Sequence, residues 1–491
     1  MKMKNSCFAL IALLLLTSCS TSDNTKSVTK NTEQFKLELQ HLKEYFHIPG
    51  LAVLVQKGDS VLYEDYFGHA NVEEDIKVDS TTQFPIASIT KVFAGVALFK
   101  LQEEGKLSFE DAINTYFDDP IFDDSIKIKH VLSHTSQGSP GENFYYSYRF
   151  GALTHVIEKA SKTSFGDYIG NGIFVPLDLQ NTFLLTDSTS VTKTMARPYN
   201  FDEQVVAGQV EYGASASAGI VSNPRDMAKF SKALDDNVLL DETSKLGMYT
   251  PFASHLPYGH GIFSQVFNGK KVLWAYGQYD SYSSLLLKVP EDHLSLIILA
   301  NNNLMSDPAR LIYGDGLSSL FTQSFLKNYV FDFGDMPLFE SGNGTEKFQN
   351  TELHRKKLLA EALASSFMAR FDDSELEKSK KLLRQLFKQY PDYPAYADLN
   401  LLHNLTFIKD VHFSKDLGPF DEFDPQIEAI ANTLLKKDQD NPYVNIYMGT
   451  FHNRKGNLDK AQSHFETIAN AKNFSPFWYT SEAKRWLEEH N

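Results

Sequence analysis

Phe35, Leu37, Leu39, Leu42, Tyr45 and Phe46 supply apolar positions, and Pro49-Gly50 closes the run, so a helix is expected there. Leu51–Gln56 and Ser60–Phe67 then read as strands about the turn Lys57-Gly58-Asp59. From Tyr258 the pattern returns to strands. Gly261–Phe267 and Val272–Tyr276 flank Asn268-Gly269, and Tyr282–Val289 and Leu294–Ala300 flank Pro290-Glu291-Asp292. Between these two sets lie helical stretches, among them Phe150–Ala160, and a helix is expected from about Pro308 to Lys327. Beyond residue 350 the chain is polar and helical throughout.

One stretch departs from any half-buried pattern. From Phe84 to Phe99 the residues after Pro85 are apolar on every side, as in a helix enclosed by a core. Lys91 is the only charge between Asp79 and Lys100. An isolated ammonium in such surroundings either finds partners or loses its proton more easily. Ser88 precedes it by three residues and shares its helical face. A hydroxyl beside a desolvated amine is an activated nucleophile, and first-turn N–H groups favour the negative charge that develops on attack.

Length and composition set the frame for this chemistry. A chain of 491 residues exceeds one ordinary core and suggests two domains. Its net charge of −15, with no basic stripe, argues against nucleic acid as a partner. His130 and His134 are four apart, yet no glutamate lies between them, so a zinc-protease reading fails and both read as structural. No metal or organic cofactor is implied. Gly213–Gly219, with Ser215 and Ser217, lacks the strand–Gly-x-Ser-x-Gly–helix pattern of a nucleophile elbow and reads as a structural loop.

At the N-terminus, Lys2 and Lys4 precede the apolar run Phe8–Leu16, which is too short to span a bilayer and reads as a signal peptide over residues 1–18. Leu16-Thr17-Ser18-Cys19 resembles a bacterial lipobox. That resemblance implies a lipid on Cys19 and attachment to a membrane at the bacterial cell envelope, on its periplasmic or extracytoplasmic face. Ser20 to about Asn31 is rich in Ser, Thr, Asn and Lys, so residues 19–31 read as a flexible tether. Cys7 leaves with the signal, so no intramolecular disulfide is expected.

The run Asp79–Lys91 resembles the nucleophile segment of the penicillin-recognising serine hydrolases: class C-type β-lactamases, DD-peptidases and related esterases. The resemblance covers roughly residues 32–328. It implies an α/β sandwich, with an antiparallel sheet flanked by helices plus a helical region. It also implies Ser88 as nucleophile and Lys91 as base. Tyr146 fills the family's tyrosine position, where a phenol near an ammonium can have its pKa lowered and act as base or relay. Tyr148 stands where asparagine is usual. The family's cation-x-Gly triad falls on Ala275-Tyr276-Gly277, without the cation that binds a substrate carboxylate. The N–H groups of Ser88 and Gln278 occupy the oxyanion positions, and Gly277 would let substrate backbone approach.

After a linker over 329–350, residues 351–491 are expected to form an all-α domain. Asn441-Pro442…Gly456-Asn457-Leu458-Asp459-Lys460-Ala461…Pro476 resembles a tetratricopeptide repeat, which implies a surface for a protein partner. The expected function is a serine hydrolase forming an acyl-enzyme on a small-molecule or peptide ester or amide. The alternative, supported by Tyr148 and Ala275, is an inactive scaffold that recruits partners through its helical repeats.

Overall fold

Strands β1 (Gly50–Lys57), β11 (Ser283–Val289) and β12 (Leu294–Ala300) carry almost no exposed residue, as expected of strands covered on both faces. They are central in a seven-stranded antiparallel sheet. Its other members are β2 (Ser60–Asn71), β3 (Ile76–Lys77), β9 (Phe263–Phe267) and β10 (Lys270–Gln278), and the order is β3-β2-β1-β12-β11-β10-β9. Each neighbour is a hairpin except β1–β12, where Leu51 pairs with Ala300 and Lys57 with Leu294. The computed structural model describes residues 22–331, 338 and 351–490. The expected signal peptide, Cys19 and most of the 329–350 linker lie outside them.

Alternation along these strands divides the interior into two cores. Ala52, Leu54, Ala275, Leu286, Ile297 and Leu299 face the helix Thr90–Glu103 and the helical region between Ile113 and Tyr249. Leu51, Val53, Val55, Trp274, Leu285, Leu287, Leu296 and Ile298 face the N-terminal helix through Phe35, Leu39 and Leu42. Lys288 breaks the apolar rule. It is wholly buried and is satisfied by Asp235 at 3.0 Å and by the Ser231 carbonyl and hydroxyl at 2.7 and 2.6 Å.

A second, three-stranded sheet positions the Ser88 turn. In chain order β4 is Phe84–Pro85, β5 Phe183–Leu184 and β8 Ile220–Ser222, with β8 between the other two. Strands β6 (Tyr199–Asp202) and β7 (Gln204–Ala207) form a separate hairpin.

Three boundaries differ from expectation. The N-terminal helix runs Ser22–Tyr45, so the backbone is already helical within the stretch expected to be a tether. The stretch 308–327 is not one helix: short turns at Leu311–Tyr313 and Gly316–Ser318 precede a helix at Leu320–Phe325. Gly314 takes a positive φ of 85°, and a side chain at Gly316 would meet the Trp274 indole at 3.0 Å, so packing against β10 breaks the helix. Finally, the helix Thr351–Met368 joins the core behind the sheet through Leu353, Ala360, Ala364, Phe367 and Met368. The expected domain boundary at 351 therefore crosses a shared core. Six further helices, from Asp373–Gln389 to Trp478–His490, complete the C-terminal region.

Candidate active site

Pairing of β4 with β8 sets Phe84 opposite Ser222 and Pro85 opposite Val221, and the Ile86 N–H donates to the Ile220 carbonyl at 2.9 Å. The chain then enters a tight turn, Ala87–Ile89, before the helix Thr90–Glu103. Ala87 has φ 44°, a left-handed conformation that costs about 1–2 kcal/mol for a residue with a side chain. Alanine carries the least bulk that meets this demand after glycine. Ser88 follows at once, its N–H among the first-turn amides that a helix leaves without an internal acceptor.

Lys91 Nζ lies 3.0 Å from Ser88 Oγ and donates to the Ser217 carbonyl at 3.0 Å. Both acceptors are neutral. With burial unopposed by a carboxylate, its pKa falls from the usual lysine value to about 7. The ammonium also lies 5.0 Å from the Tyr146 ring centre and 5.5 Å from that of Phe150. Burial raises the Tyr146 phenol well above its ordinary pKa, and the neighbouring Ser88 hydroxyl, which lowers it, offsets only part of that. This corrects the expectation of a lowered phenol: desolvation of the buried phenol is the largest influence and outweighs its surroundings. Tyr146 is suited to passing a proton as a neutral hydroxyl, and Lys91 is the better base.

Ser217 was legible only as part of a structural loop, yet its carbonyl completes the lysine site. Strand β8 begins three residues later, beside the Ser88 turn, and the Ile220 N–H donates to Thr90 Oγ1 at 3.2 Å. The Ala216 N–H donates to Thr154 Oγ1 at 2.8 Å, which fixes the loop from the other side. Tyr148, in contrast, is 75% exposed and packs on Phe477, with ring centres 4.9 Å apart. The structure thus assigns the acceptor beside Lys91 to the Ser217 backbone and leaves Tyr148 at the rim.

Gly277 also differs from expectation. A side chain there would lie 2.1 Å from the Ile86 carbonyl and 2.2 Å from Ser284 Oγ. Its missing Cβ makes room for the chain's own Ser88 turn rather than for substrate. Ala275 faces the same core, buried and uncharged. The Tyr279 N–H donates to the Tyr282 carbonyl, so Gln278 and Ser283 form the next, non-hydrogen-bonded pair. The Gln278 N–H therefore points away from β11, along the edge that β9 leaves open beyond Trp274. That is the direction an oxyanion donor requires.

His134 lies behind Tyr146, with ring centres 4.3 Å apart and planes inclined by 27°. Its Nδ1 accepts from the Ser147 N–H at 3.1 Å, and burial holds its pKa well below the usual value. His130 Nδ1 accepts from the Lys127 N–H at 3.2 Å and closes its own helix start. Both histidines serve packing and hydrogen bonding. Among the described residues no three metal-ligating side chains gather into a site.

This arrangement can do nucleophilic acyl chemistry: a hydroxyl and a near-neutral amine lie 3.0 Å apart on a turn packed against Gly277, the residue before the outward Gln278 N–H. Comparison with known proteins bears on the family and the fold. Protein flp of Staphylococcus aureus strain MW2 is 26% identical over 322 residues, 55% of this chain and 63% of that protein. The chain thus spans less than two thirds of the length of this curated relative. Penicillin-binding protein 4* of Bacillus subtilis strain 168 is 24% identical over 305 residues, 51% of this chain and 67% of that one. In fold it resembles the octameric penicillin-binding protein homologue from Pyrococcus abyssi, with TM-score 0.53 and 22% identity, covering 57% of this chain and 76% of that one. A penicillin-binding protein from Bacillus halodurans gives TM-score 0.50 and 22% identity, covering 54% and 94%. The family model described as Beta-lactamase matches residues 39–315, more than half of the chain, and the protein belongs to that family.

Proposed function

We propose that the protein is a serine hydrolase that forms an acyl-enzyme on Ser88. The observation that carries this is the 3.0 Å approach of a lysine with pKa about 7 to the Ser88 hydroxyl. As Ser88 Oγ bonds to the substrate carbonyl carbon, its proton passes to neutral Lys91. The oxyanion is held by the N–H groups of Ser88 and Gln278. Collapse restores the C=O bond and expels the alcohol or amine. That leaving group takes the proton from Lys91 through the Tyr146 hydroxyl, and water then releases the acyl group by the same route reversed. The substrate class is an ester or amide.

Intact-mass measurement after exposure to a fluorophosphonate tests the reading. Wild type gains one adduct, and Ser88→Ala gains none. An adduct persisting in Ser88→Ala overturns the assignment, and an unreactive wild type favours the scaffold reading.

The sequence motif at Leu16–Cys19 supports a lipid-anchored protein of the cell envelope. Cys19→Ala is expected to move the protein from the membrane to the soluble fraction, and unchanged detergent partitioning removes that proposal. The paired helices Pro442–Arg454 and Leu458–Ala469 support a tetratricopeptide-like unit, with Phe465 packed against Gly449.

A further inference from the structure

The segment that carries Tyr146 is fastened to the C-terminal helical region rather than to its own domain alone. Tyr145 and Ser147, on either side of Tyr146, donate their N–H groups to the His134 carbonyl at 2.9 Å and to His134 Nδ1 at 3.1 Å. The turn His134–Gly138 is therefore the template on which Tyr146 rests. That turn is in turn held by Asn473, in the loop between the last two helices. Asn473 Nδ2 donates to the Ser136 and Gly138 carbonyls at 3.2 and 2.8 Å, and its own carbonyl accepts from the Gly138 N–H at 3.3 Å. The Ser475 N–H donates to Gln137 Oε1 at 2.9 Å.

Arg149 closes the same clamp from the other side of Tyr146. Its guanidinium donates to Asn473 Oδ1 at 3.1 Å, the Asn473 carbonyl at 3.0 Å, Ser475 Oγ at 2.7 Å and the Ser136 carbonyl at 2.7 Å. All four acceptors are neutral, so this half-buried cation is held by geometry, with directional bonds that specify one arrangement. Phe474 and Phe477 pack on Tyr145 and Tyr148, and Tyr145 donates to Asp438. Nothing in the hydrolase reaction requires these contacts. They cost side-chain freedom, and they converge on the segment bearing one site residue.

We infer that Asn473 is a positioning residue for acyl transfer: through the turn His134–Gly138 and Arg149, the C-terminal region sets the place of the Tyr146 hydroxyl beside Ser88. The inference rests on the hydrolase reading. A misplacement of about 1 Å costs up to roughly a hundredfold in rate, so loss of the clamp is expected to slow acylation ten- to hundredfold.

Asn473 has φ 60°, a conformation glycine adopts freely, so Asn473→Gly removes the side chain without straining the backbone. The experiment measures the rate of Ser88 acylation by a p-nitrophenyl ester, per folded full-length protein. It compares wild type, Asn473→Gly, Tyr146→Phe and the double variant. Asn473→Gly is expected to be ten- to hundredfold slower than wild type, and to add nothing in the Tyr146→Phe background. A merely structural contribution slows both backgrounds equally, and that result overturns the inference, as does a wild-type rate in Asn473→Gly. Should Asn473→Gly fold poorly, Ser475→Ala removes one acceptor of Arg149 alone and is read in the same cycle. Failure of wild type to acylate overturns the hydrolase reading itself, and the inference with it, whereas an active enzyme indifferent to Asn473 overturns the inference only.

Discussion

The Lys91 ammonium nitrogen and the Ser217 carbonyl oxygen stand 3.0 Å apart, although 126 residues separate them in sequence. The carbonyl supplies an acceptor without negative charge. A carboxylate in its place would stabilise the ammonium and raise the lysine pKa, which would remove the base at neutral pH. The neutral partner orients Lys91 and leaves burial to keep its pKa near 7.

The pH dependence of acylation follows from that value. Only the neutral amine accepts the Ser88 proton, so the rate is expected to rise tenfold per pH unit below about 7 and to level off above it. Lys91→Ala is expected to lose roughly 10²–10⁴-fold, and Lys91→Arg a similar amount, because a guanidinium stays protonated. Single-turnover acylation across the pH range reads this directly. A flat profile through neutrality shows that another group is the base.

Gly277→Ala places a methyl group 2.1 Å from the Ile86 carbonyl. Strand β10 and the Ser88 turn must then separate, with overpacking expected to cost roughly 1–3 kcal/mol of stability. Because the displaced turn carries Ser88, labelling should fall further than the melting temperature suggests. Wild-type labelling by Gly277→Ala shows that the contact is slack.

Penicillins are expected to be poor substrates. Ala275 supplies no cation for their carboxylate, and a charged hydrogen bond contributes about 1.5–3 kcal/mol, roughly ten- to hundredfold in efficiency. Lys270 is no replacement: it pairs with Asp292, and seven residues of strand, roughly 23 Å, separate it from Gly277. Steady-state assays comparing a penicillin with a neutral p-nitrophenyl ester check this. Efficient penicillin turnover means that a cation from outside β10 reaches the site.

Truncation after Phe331 is expected to harm the hydrolase domain. It strips Leu353, Phe367 and Met368 from the core behind the sheet and removes every hydrogen-bond acceptor of the Arg149 guanidinium except the Ser136 carbonyl. Solubility and Ser88 labelling of residues 32–331 against the full chain measure the effect. A soluble fragment that labels at the full-length rate shows that the C-terminal region is dispensable.

The strands and the pairing of Ser88 with Lys91 were legible because local patterns specify them: alternation, two-residue turns, and one charge in an apolar helix. The Ser217 contribution was not, since a backbone carbonyl leaves no mark on residue type. Arg149 reads as an ordinary surface arginine, and its partner Asn473 lies 324 residues away. The break in 308–327 was hidden for a similar reason. Leu317, Leu320 and Phe321 suit a helix, and the Trp274 indole that forbids continuity at Gly316 belongs to another part of the sequence.

The side-by-side placement of β1 and β12 has a consequence for how the nascent chain matures. Lys57 finds its partner Leu294 only after 237 further residues exist. That interval ends only when β12, the last strand of the sheet in chain order, is in place. For all of it the β1–β2 hairpin presents an unpaired edge of Leu, Val and Ala, a ready template for the wrong neighbour. Late closure leaves this ribbon open to mispairing until the sheet is complete.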